Sequence, residues 1–427
     1  MRRPSTHRAR LPGWRPLPLA LGVLVLLGVG LTASPSGATT GPRRFAPVAS
    51  SATLPAVTQI SSDPFSSPKI GQHSTEVEPA VAGYGTTVVA AFQVGKYSAR
   101  PGSAAIGWAT STNGGTTWAH GLLPGLTTVT TPAGPYPGAA DSSVAYDAAS
   151  GTWLIASVAV VASGGGYTEG ALTVSRSSDG RSWSNPVVAV AANQPDKSWI
   201  ACDNWATSPH RGRCYLAWSA DAAGYSLDVA TSDNGGASWS SPVAGPTVGY
   251  YDVQPVVRPD GTVVVVATDI TDGSIAASRS LDGGATWSAP TLVSNVTAHQ
   301  PAGGLRENVK PTAAVSGDGT VYVAWTDCRF RPGCASNDIV ATSSPHGATW
   351  AKPPTAVALN DPTQTADHFF PGLAQTRAQR HPRLGSAWST TPTRPLRAGR
   401  PAHPPASSTP VPPPARTGGR RGARPFG

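Results

Sequence analysis

Apolar residues in this chain gather in paired short runs, and a polar turn or loop separates the two runs of each pair. Five pairs are found, at Glu78–Phe92, Val144–Ser157, Trp199–Trp218, Gln254–Ala267 and Lys310–Trp325. The runs are short and bounded by Gly, Asp, Asn and Ser, a pattern that favours β-strands over amphipathic helices. Each pair therefore predicts an antiparallel β-hairpin.

A second pattern follows each predicted hairpin. It is a segment of seven or eight residues that ends in Trp, at Ser111–Trp118, Ser177–Trp183, Ser232–Trp239, Ser280–Trp287 and Ser343–Trp350. Its glycines supply the positive φ of a tight turn, and its Asp or Asn accepts local backbone N–H bonds. We expect the Trp to pack over the turn, so these segments hold hairpins together and carry no chemistry.

The spacing joins the two patterns into one repeated unit. The signature Trp follows the end of its hairpin by 26, 26, 21, 20 and 25 residues. Two strands, a loop, a third strand, a Gly-rich turn and a last strand make a four-stranded antiparallel blade. Such a blade cannot bury both of its faces alone, so the blades are predicted to stack around an axis as a β-propeller.

Composition agrees with an all-β fold and limits the function. Only 13% of the 427 residues are charged, whereas Gly and Pro number 47 and 43. The net charge of +9 belongs to the ends of the chain, because residues 46–374 hold 15 Lys and Arg against 23 Asp and Glu. The predicted folded part is acidic, so we expect no nucleic-acid partner.

The first residues resemble a secretion signal. Five arginines precede an apolar stretch at Leu17–Leu31, and Ser36-Gly37-Ala38 supplies a small-x-small cleavage pattern. We expect a signal peptide over 1–38, a disordered linker over 39–57 and an extracellular protein without a stable membrane span. An uncleaved anchor is the alternative.

Export favours disulfides over free thiols. The four cysteines form two local pairs, Cys202 with Cys214 and Cys328 with Cys334, the simplest of three connectivities. When the hairpins are aligned on their second strands, Cys202 and Cys214 become cross-strand neighbours within bridging distance. A metal site is the rival interpretation, although neither spacing is Cys-x-x-Cys.

The repeated segments resemble Asp-box, or BNR, repeats, and residues 58–374 are similar to the β-propellers of the sialidase superfamily. Ser280–Trp287 matches the box best. The resemblance implies a six-bladed-type propeller whose active site lies on the face away from the boxes. Residues 58–374 would form five complete blades and, from Asp367, the start of a sixth that is truncated in this chain.

The same resemblance implies an exo-α-sialidase-type glycoside hydrolase that acts on extracellular glycans. In that family three arginines hold the substrate carboxylate, an Asp is the acid/base, and a Tyr activated by Glu is the nucleophile. Candidate catalytic residues are Asp141 as acid/base and Tyr251 beside Glu78 or Glu307. Candidate substrate-binding residues are Arg306, Arg329, Lys310, Asp252, His299 and Asp367, and the arginine fork suits a carboxylate.

A non-catalytic propeller that binds extracellular carbohydrate or protein is the rival function. The polar residues of the predicted site face could equally be a solvated rim. The family's Arg-Ile-Pro motif is also absent, and Pro68-Lys69-Ile70-Gly71 stands near its place. We expect a monomer and no cofactor, and no residue pattern supports a structural calcium ion.

The last 53 residues differ from the rest of the chain. Residues 375–427 contain ten Arg and no Asp or Glu, and they are rich in Pro, Ser and Thr. Such a composition predicts a disordered tail. A shifted reading frame that interrupts the sixth blade is an alternative origin for it.

Overall fold

The structure is a computed structural model, and it describes residues 57–67, 71–191, 194–246, 248–271, 273–303, 305, 307, 309–357, 366–374 and the backbone of 383–385. The predicted signal peptide, almost all of the linker, most of the tail and Arg306 lie outside these ranges. The described chain is all-β apart from two single-turn 3₁₀ segments, Asp221–Ala223 and Pro332–Cys334.

Five four-stranded units follow one another along the chain. Blade one has β1 (Glu76–Tyr84), β2 (Thr87–Lys96), β3 (Ser103–Ser111) and β4 (Ala119–Leu122). Blade two has β5 (Gly138–Asp147), β6 (Thr152–Ser163), β7 (Gly166–Ser177) and β8 (Val187–Ala191). Blade three has β9 (Pro195–Cys202), β10 (Cys214–Ala220), β11 (Ser226–Ser232) and β12 (Val243–Ala244). Blade four has β13 (Tyr250–Val257), β14 (Val263–Asp269), β15 (Ser274–Ser280) and β16 (Thr291–Asn295). Blade five has β17 (Thr312–Val315), β18 (Val321–Asp327), β19 (Asp338–Ser344) and β20 (Thr355–Ala356).

Within each blade, neighbours along the chain pair as antiparallel neighbours in the sheet, so all five predicted hairpins are confirmed. A single pair, Ser103 with Ala139, joins blades one and two. Beyond blade five, β21 (Gly372–Ala374) pairs with β22 (Arg383–Gly385). A sixth blade stays a prediction, because these two short strands are all that is described at its position.

The first strands of successive blades contact one another in order, β1 with β5, β5 with β9, β9 with β13, and β13 with β17. The apolar core lies between adjacent blades, where Trp218 of blade three and Trp325 of blade five are almost completely buried. Burial between sheets explains why the second strands are apolar on both faces. It also places the first strands side by side around a common centre.

Each Asp box forms the turn between the third strand and the segment that follows it. In the first box Ser111 Oγ accepts the Gly115 N–H at 2.8 Å, and Asn113 Oδ1 accepts the Thr117 N–H at 2.9 Å. Trp118 Nε1 donates to the Gly115 carbonyl at 3.0 Å. The predicted local role of the box is therefore confirmed.

The structure adds a second role, because each of three boxes is bonded to the blade before it. Thr110 donates to the Gly180 carbonyl, Arg176 to the Gly235 carbonyl and Arg213 to the Gly283 carbonyl. A box thus stabilises its own turn and also holds its blade against the preceding blade.

Both predicted disulfides are confirmed. Cys202 faces Cys214 across β9 and β10, with their Cα atoms 4.0 Å apart, and Cys328 is bonded to Cys334 in the loop after β18. No cysteine is left free for a metal.

Candidate functional site

A β-bulge interrupts the first strand of each of blades one to four at the same place. The residue at each bulge has a positive φ: Glu78 at 53°, Asp141 at 44°, Lys197 at 51° and Asp252 at 53°. Bulky residues rarely adopt this conformation, and its recurrence at four equivalent charged residues is a sign of function rather than of chance. At the bulge, these residues depart from the regular alternation of side chains between the two faces of the sheet.

A cavity of about 450 Å³ opens where the first strands of blades one to four meet. Its floor contains Glu78, Asp141, Asp196, Lys197 and Tyr251. The remaining lining residues are Lys96, Tyr97, Ser98, Arg100, Pro101, Gly102, Ala140 and Glu169. Three of the four predicted catalytic residues, Asp141, Tyr251 and Glu78, therefore lie together.

Lys197 organises the floor of the cavity. Its Nζ lies 2.6 Å from Asp196 Oδ1 and 3.2 Å from Asp141 Oδ2, and its backbone N–H donates to the same two oxygens. Burial lowers the pKa of Lys197, but the two carboxylates outweigh burial and raise it well above its usual value. The lysine thus stays protonated, and its side chain is only 18% exposed.

The three carboxyl groups around Lys197 titrate differently. Burial raises the pKa of Asp141, but the Lys197 ammonium and hydrogen bonds from its neighbours bring it below its usual range. Burial, followed by the charge of Asp141, raises the pKa of Asp196 to about 7. The same two causes raise the pKa of Glu78, which also accepts a 2.6 Å bond from Gln93. One carboxylate is thus kept ionised while its two neighbours bind a proton more readily than usual, the arrangement that separates acid from base.

Tyr251 stands over this group. Lys197 Nζ lies 5.4 Å from its ring centroid, and the ring of Tyr225 meets it edge-on at 5.6 Å. Burial raises the pKa of Tyr251; Lys197 opposes this, and Asp196 adds to it through its charge and a hydrogen bond. Asp196 is thus a carboxyl group that acts on the pKa of the tyrosine, and it lies outside the predicted Tyr–Glu pairs.

Other predicted residues form a second cluster near blade five. His299 Nδ1 lies 3.0 Å from Asp367 Oδ1, which also accepts the Asn337 N–H at 2.8 Å. Glu307 is buried, and burial raises its pKa. Lys310 pairs with the bulge residue Asp252 at 3.2 Å.

Arg329 lies apart from the residues that line the cavity. Its Nε and Nη2 bond the two oxygens of Asp327 at 2.9 and 2.6 Å, and Nη2 also donates to the Asn295 carbonyl at the end of β16. The guanidinium group of Arg329 thus bonds groups of the protein itself. A role in binding a substrate carboxylate stays a prediction for Arg329, as it does for Arg306.

No catalytic or binding role was predicted from the sequence for several of the cavity residues. Asp196 and Lys197 lie beside the predicted Asp141, but they belong to β9 of blade three, whereas Asp141 belongs to β5 of blade two. Lys96 ends β2, Arg100 lies in the connection between β2 and β3, and Glu169 lies in β7. The change in alternation at each bulge is the sequence signal that could have found the first two.

The described residues include no group of three or more His, Cys, Asp or Glu side chains placed to hold a metal ion. No helix within the described ranges is long and apolar enough to cross a membrane.

The fold and site define an all-β protein of repeated four-stranded blades with a cavity lined by charged residues where their first strands meet. Residues 137–327 match the family model of the BNR repeat-like domain. This stretch contains the second, third and fourth boxes, and the match confirms the predicted resemblance to BNR-repeat proteins. No curated protein matches the chain.

Solved structures with a similar fold include several sialidases. The intramolecular trans-sialidase from Ruminococcus gnavus is 14% identical with a TM-score of 0.49, over 71% of this chain and 88% of that one. A Hadza microbial sialidase is 18% identical with a TM-score of 0.47, over 69% and 60%. A protein of unknown function from Dyadobacter fermentans is 19% identical with a TM-score of 0.47, over 70% and 87%. This chain thus spans about 60% of the length of the Hadza sialidase, and none of these similarities assigns an activity to it.

Proposed function

We propose that this chain is a secreted glycoside hydrolase of the exo-α-sialidase type that acts on extracellular glycans in the cavity between blades one to four. One observation carries the proposal: Tyr251 and Asp196 line the same cavity of about 450 Å³, where burial and the charge of Asp141 raise the pKa of Asp196 to about 7. A cavity of this size suits a small ligand such as a sugar ring. The two disulfides are consistent with an extracellular protein.

In the proposed reaction the Tyr251 oxygen attacks the anomeric carbon as the glycosidic C–O bond breaks. Asp196 takes the phenol proton, because a carboxylate with a pKa near 7 is a stronger base than an ordinary aspartate. Glu78, whose pKa is also raised, gives a proton to the leaving oxygen. Water then cleaves the tyrosyl intermediate with the proton transfers reversed.

Asp141 has a different part in this scheme from the acid/base role predicted for it. Its pKa is held below its usual range, so it remains a carboxylate throughout the proposed reaction. Beside the anomeric centre, a fixed negative charge stabilises the oxocarbenium-like transition state. Lys197 orients Asp141 through two hydrogen bonds.

Hydrolysis of a panel of 4-methylumbelliferyl glycosides, including the α-sialoside, tests the proposal. We expect turnover by the wild-type protein and a loss of at least about a hundredfold in kcat for Tyr251→Phe and Asp196→Asn. Tyr84→Phe is the matched control, because Tyr84 ends β1 at the far end of blade one. Turnover that persists in both cavity variants would overturn the assignment.

The second candidate is a non-catalytic propeller that binds glycans. One observation favours it: Lys197 bonds both Asp141 and Asp196, so neither carboxyl is held free for a substrate. Glycan binding by the wild-type protein without turnover of any glycoside in the panel would support this candidate.

A further inference from the structure

One wall of the cavity is built from two blades that an arginine ties together. The Arg100 guanidinium carbon lies 3.6 Å from the ring centroid of Tyr97 and 4.2 Å from that of Tyr167. Tyr97 and Arg100 belong to the loop between β2 and β3 of blade one, whereas Tyr167 begins β7 of blade two. Arg100 and Tyr97 also donate to the Pro137 carbonyl, which precedes β5. The arginine is thus held between two aromatic faces.

The hairpin that carries Tyr167 extends beyond its blade. Its strands β6 and β7 have 12 residues each, whereas the second and third strands of blades three, four and five have seven. The added length places Tyr167 near the tip, where it is 44% exposed, and Glu169 lower down on the cavity lining. Burial, followed by the charge of Asp141, raises the pKa of Glu169. We call Tyr97, Arg100, Tyr167 and Glu169 the tyrosine wall.

The tyrosine wall combines the groups that a sugar ring uses. An exposed aromatic ring gives a flat apolar surface for the C–H face of a pyranose. The guanidinium edge donates to ring hydroxyls, and a carboxyl can donate or accept according to its protonation. Tyr97, Arg100 and Glu169 line the same cavity as Tyr251. A single ligand can therefore contact both the tyrosine wall and the cavity floor.

We propose that the tyrosine wall is a second sugar-binding subsite, so that the ligand of this protein is a glycan of at least two rings. One ring occupies the floor beside Tyr251, and the next stacks on Tyr167 with its hydroxyls bonded to Arg100 and Glu169. This inference deepens the proposed function and rests on its placement of a sugar in the axial cavity.

Binding to a glycan array tests the subsite. The array carries mono-, di- and trisaccharides on one linker, with and without terminal sialic acid, and Tyr251→Phe is the background so that no ligand is cleaved. We expect disaccharides to bind about tenfold more tightly than the matching monosaccharides, as an added contact of about 1.4 kcal/mol would give. Adding Tyr167→Ala should remove this preference, and adding Tyr167→Phe should keep it.

Tyr84→Ala is the matched control, since Tyr84 is 41% exposed and lies at the opposite end of blade one. Equal binding of short and long glycans, a length preference that survives Tyr167→Ala, or no glycan binding would each overturn the subsite. Hydrolysis of the 4-methylumbelliferyl glycosides separates the two proposals. Turnover without a length preference would support the glycosidase activity and refute the sugar subsite at the tyrosine wall. A length preference without turnover would support the subsite and refute the glycosidase activity.

Discussion

Replacing Lys197 by Met removes the charge at the centre of the cavity and keeps most of the side-chain volume. The ammonium bonds Asp196 at 2.6 Å and Asp141 at 3.2 Å. At an effective dielectric constant of 20, the contacts with Asp196 and Asp141 are worth about 6 and about 5 kcal/mol before the desolvation of the ions is subtracted. Removing one partner of a buried ion pair costs about 3–5 kcal/mol. Because Lys197 is 18% exposed, we expect a loss near the lower end, about 3 kcal/mol at pH 8.

The loss should shrink as the pH falls. In the wild-type protein the lowered pKa of Asp141 adds stability that is present above its ordinary value of 3.8 and is lost below it. Without Lys197, burial alone raises the pKa of Asp141, so the carboxyl instead favours the folded state at low pH. Asp196, with its pKa at about 7, is ionised at pH 8 and mostly neutral at pH 5. We therefore expect a loss of about 1 kcal/mol at pH 5.

Urea unfolding at pH 5 and pH 8, followed by tryptophan fluorescence, measures both values. Lys96→Met is the matched control, because Lys96 lines the same cavity and no ion pair is described for it. It should change the free energy of unfolding by less than about 0.5 kcal/mol at either pH. An equal loss for Lys197→Met at both pH values would refute the reasoning, since it would show that ionisation of the two carboxyl groups does not set the effect.

Three further predictions follow from the site and the fold. The kcat/KM for an aryl glycoside should rise with pH through about 7, where Asp196 ionises and can accept a proton, and a profile flat from pH 5 to 9 would contradict this role. Native protein should give no free thiol in a thiol titration, and replacing Cys202 and Cys214 by Ala should lower the free energy of unfolding by about 2–4 kcal/mol. Gly236→Ala should cost about 2–4 kcal/mol in thermal unfolding, because its Cβ would lie 2.7 Å from a leucine methyl of the preceding blade. Gly114→Ala, also at positive φ but with open space around it, should cost only about 1 kcal/mol, and equal losses would show that the fit to the neighbouring blade is not what the box glycine provides.

The blades could be predicted because their signals are local. Alternating apolar residues, a turn and a fixed box specify a hairpin within some twenty residues, and the alignment of two hairpins was enough to pair Cys202 with Cys214. The structure of the Asp box could be predicted for the same reason. Its Ser, Asn or Asp, Gly and Trp bond mainly to one another.

The site was predicted less completely. Glu78, Asp141 and Tyr251 line one cavity, as the sequence led us to expect of polar residues that begin first strands and meet at one end of the blades. Asp196 as the partner of Tyr251 was not predicted, since it belongs to β9 and reaches the tyrosine of β13 only through the packing of blades three and four. Arg329 was predicted to bind substrate, but in the structure it lies outside the cavity. It bonds Asp327 at the start of the loop that the second disulfide closes.

The sequence by itself determined the strands, the boxes, the disulfide pairs and the acidic character of the folded part. Each of these depends on residues that are close along the chain or on simple composition. The tertiary structure alone decided which charges meet. Four bulges turn residues from four blades toward one centre, and burial there, with Lys197 between the carboxyls, sets pKa values that no single blade determines.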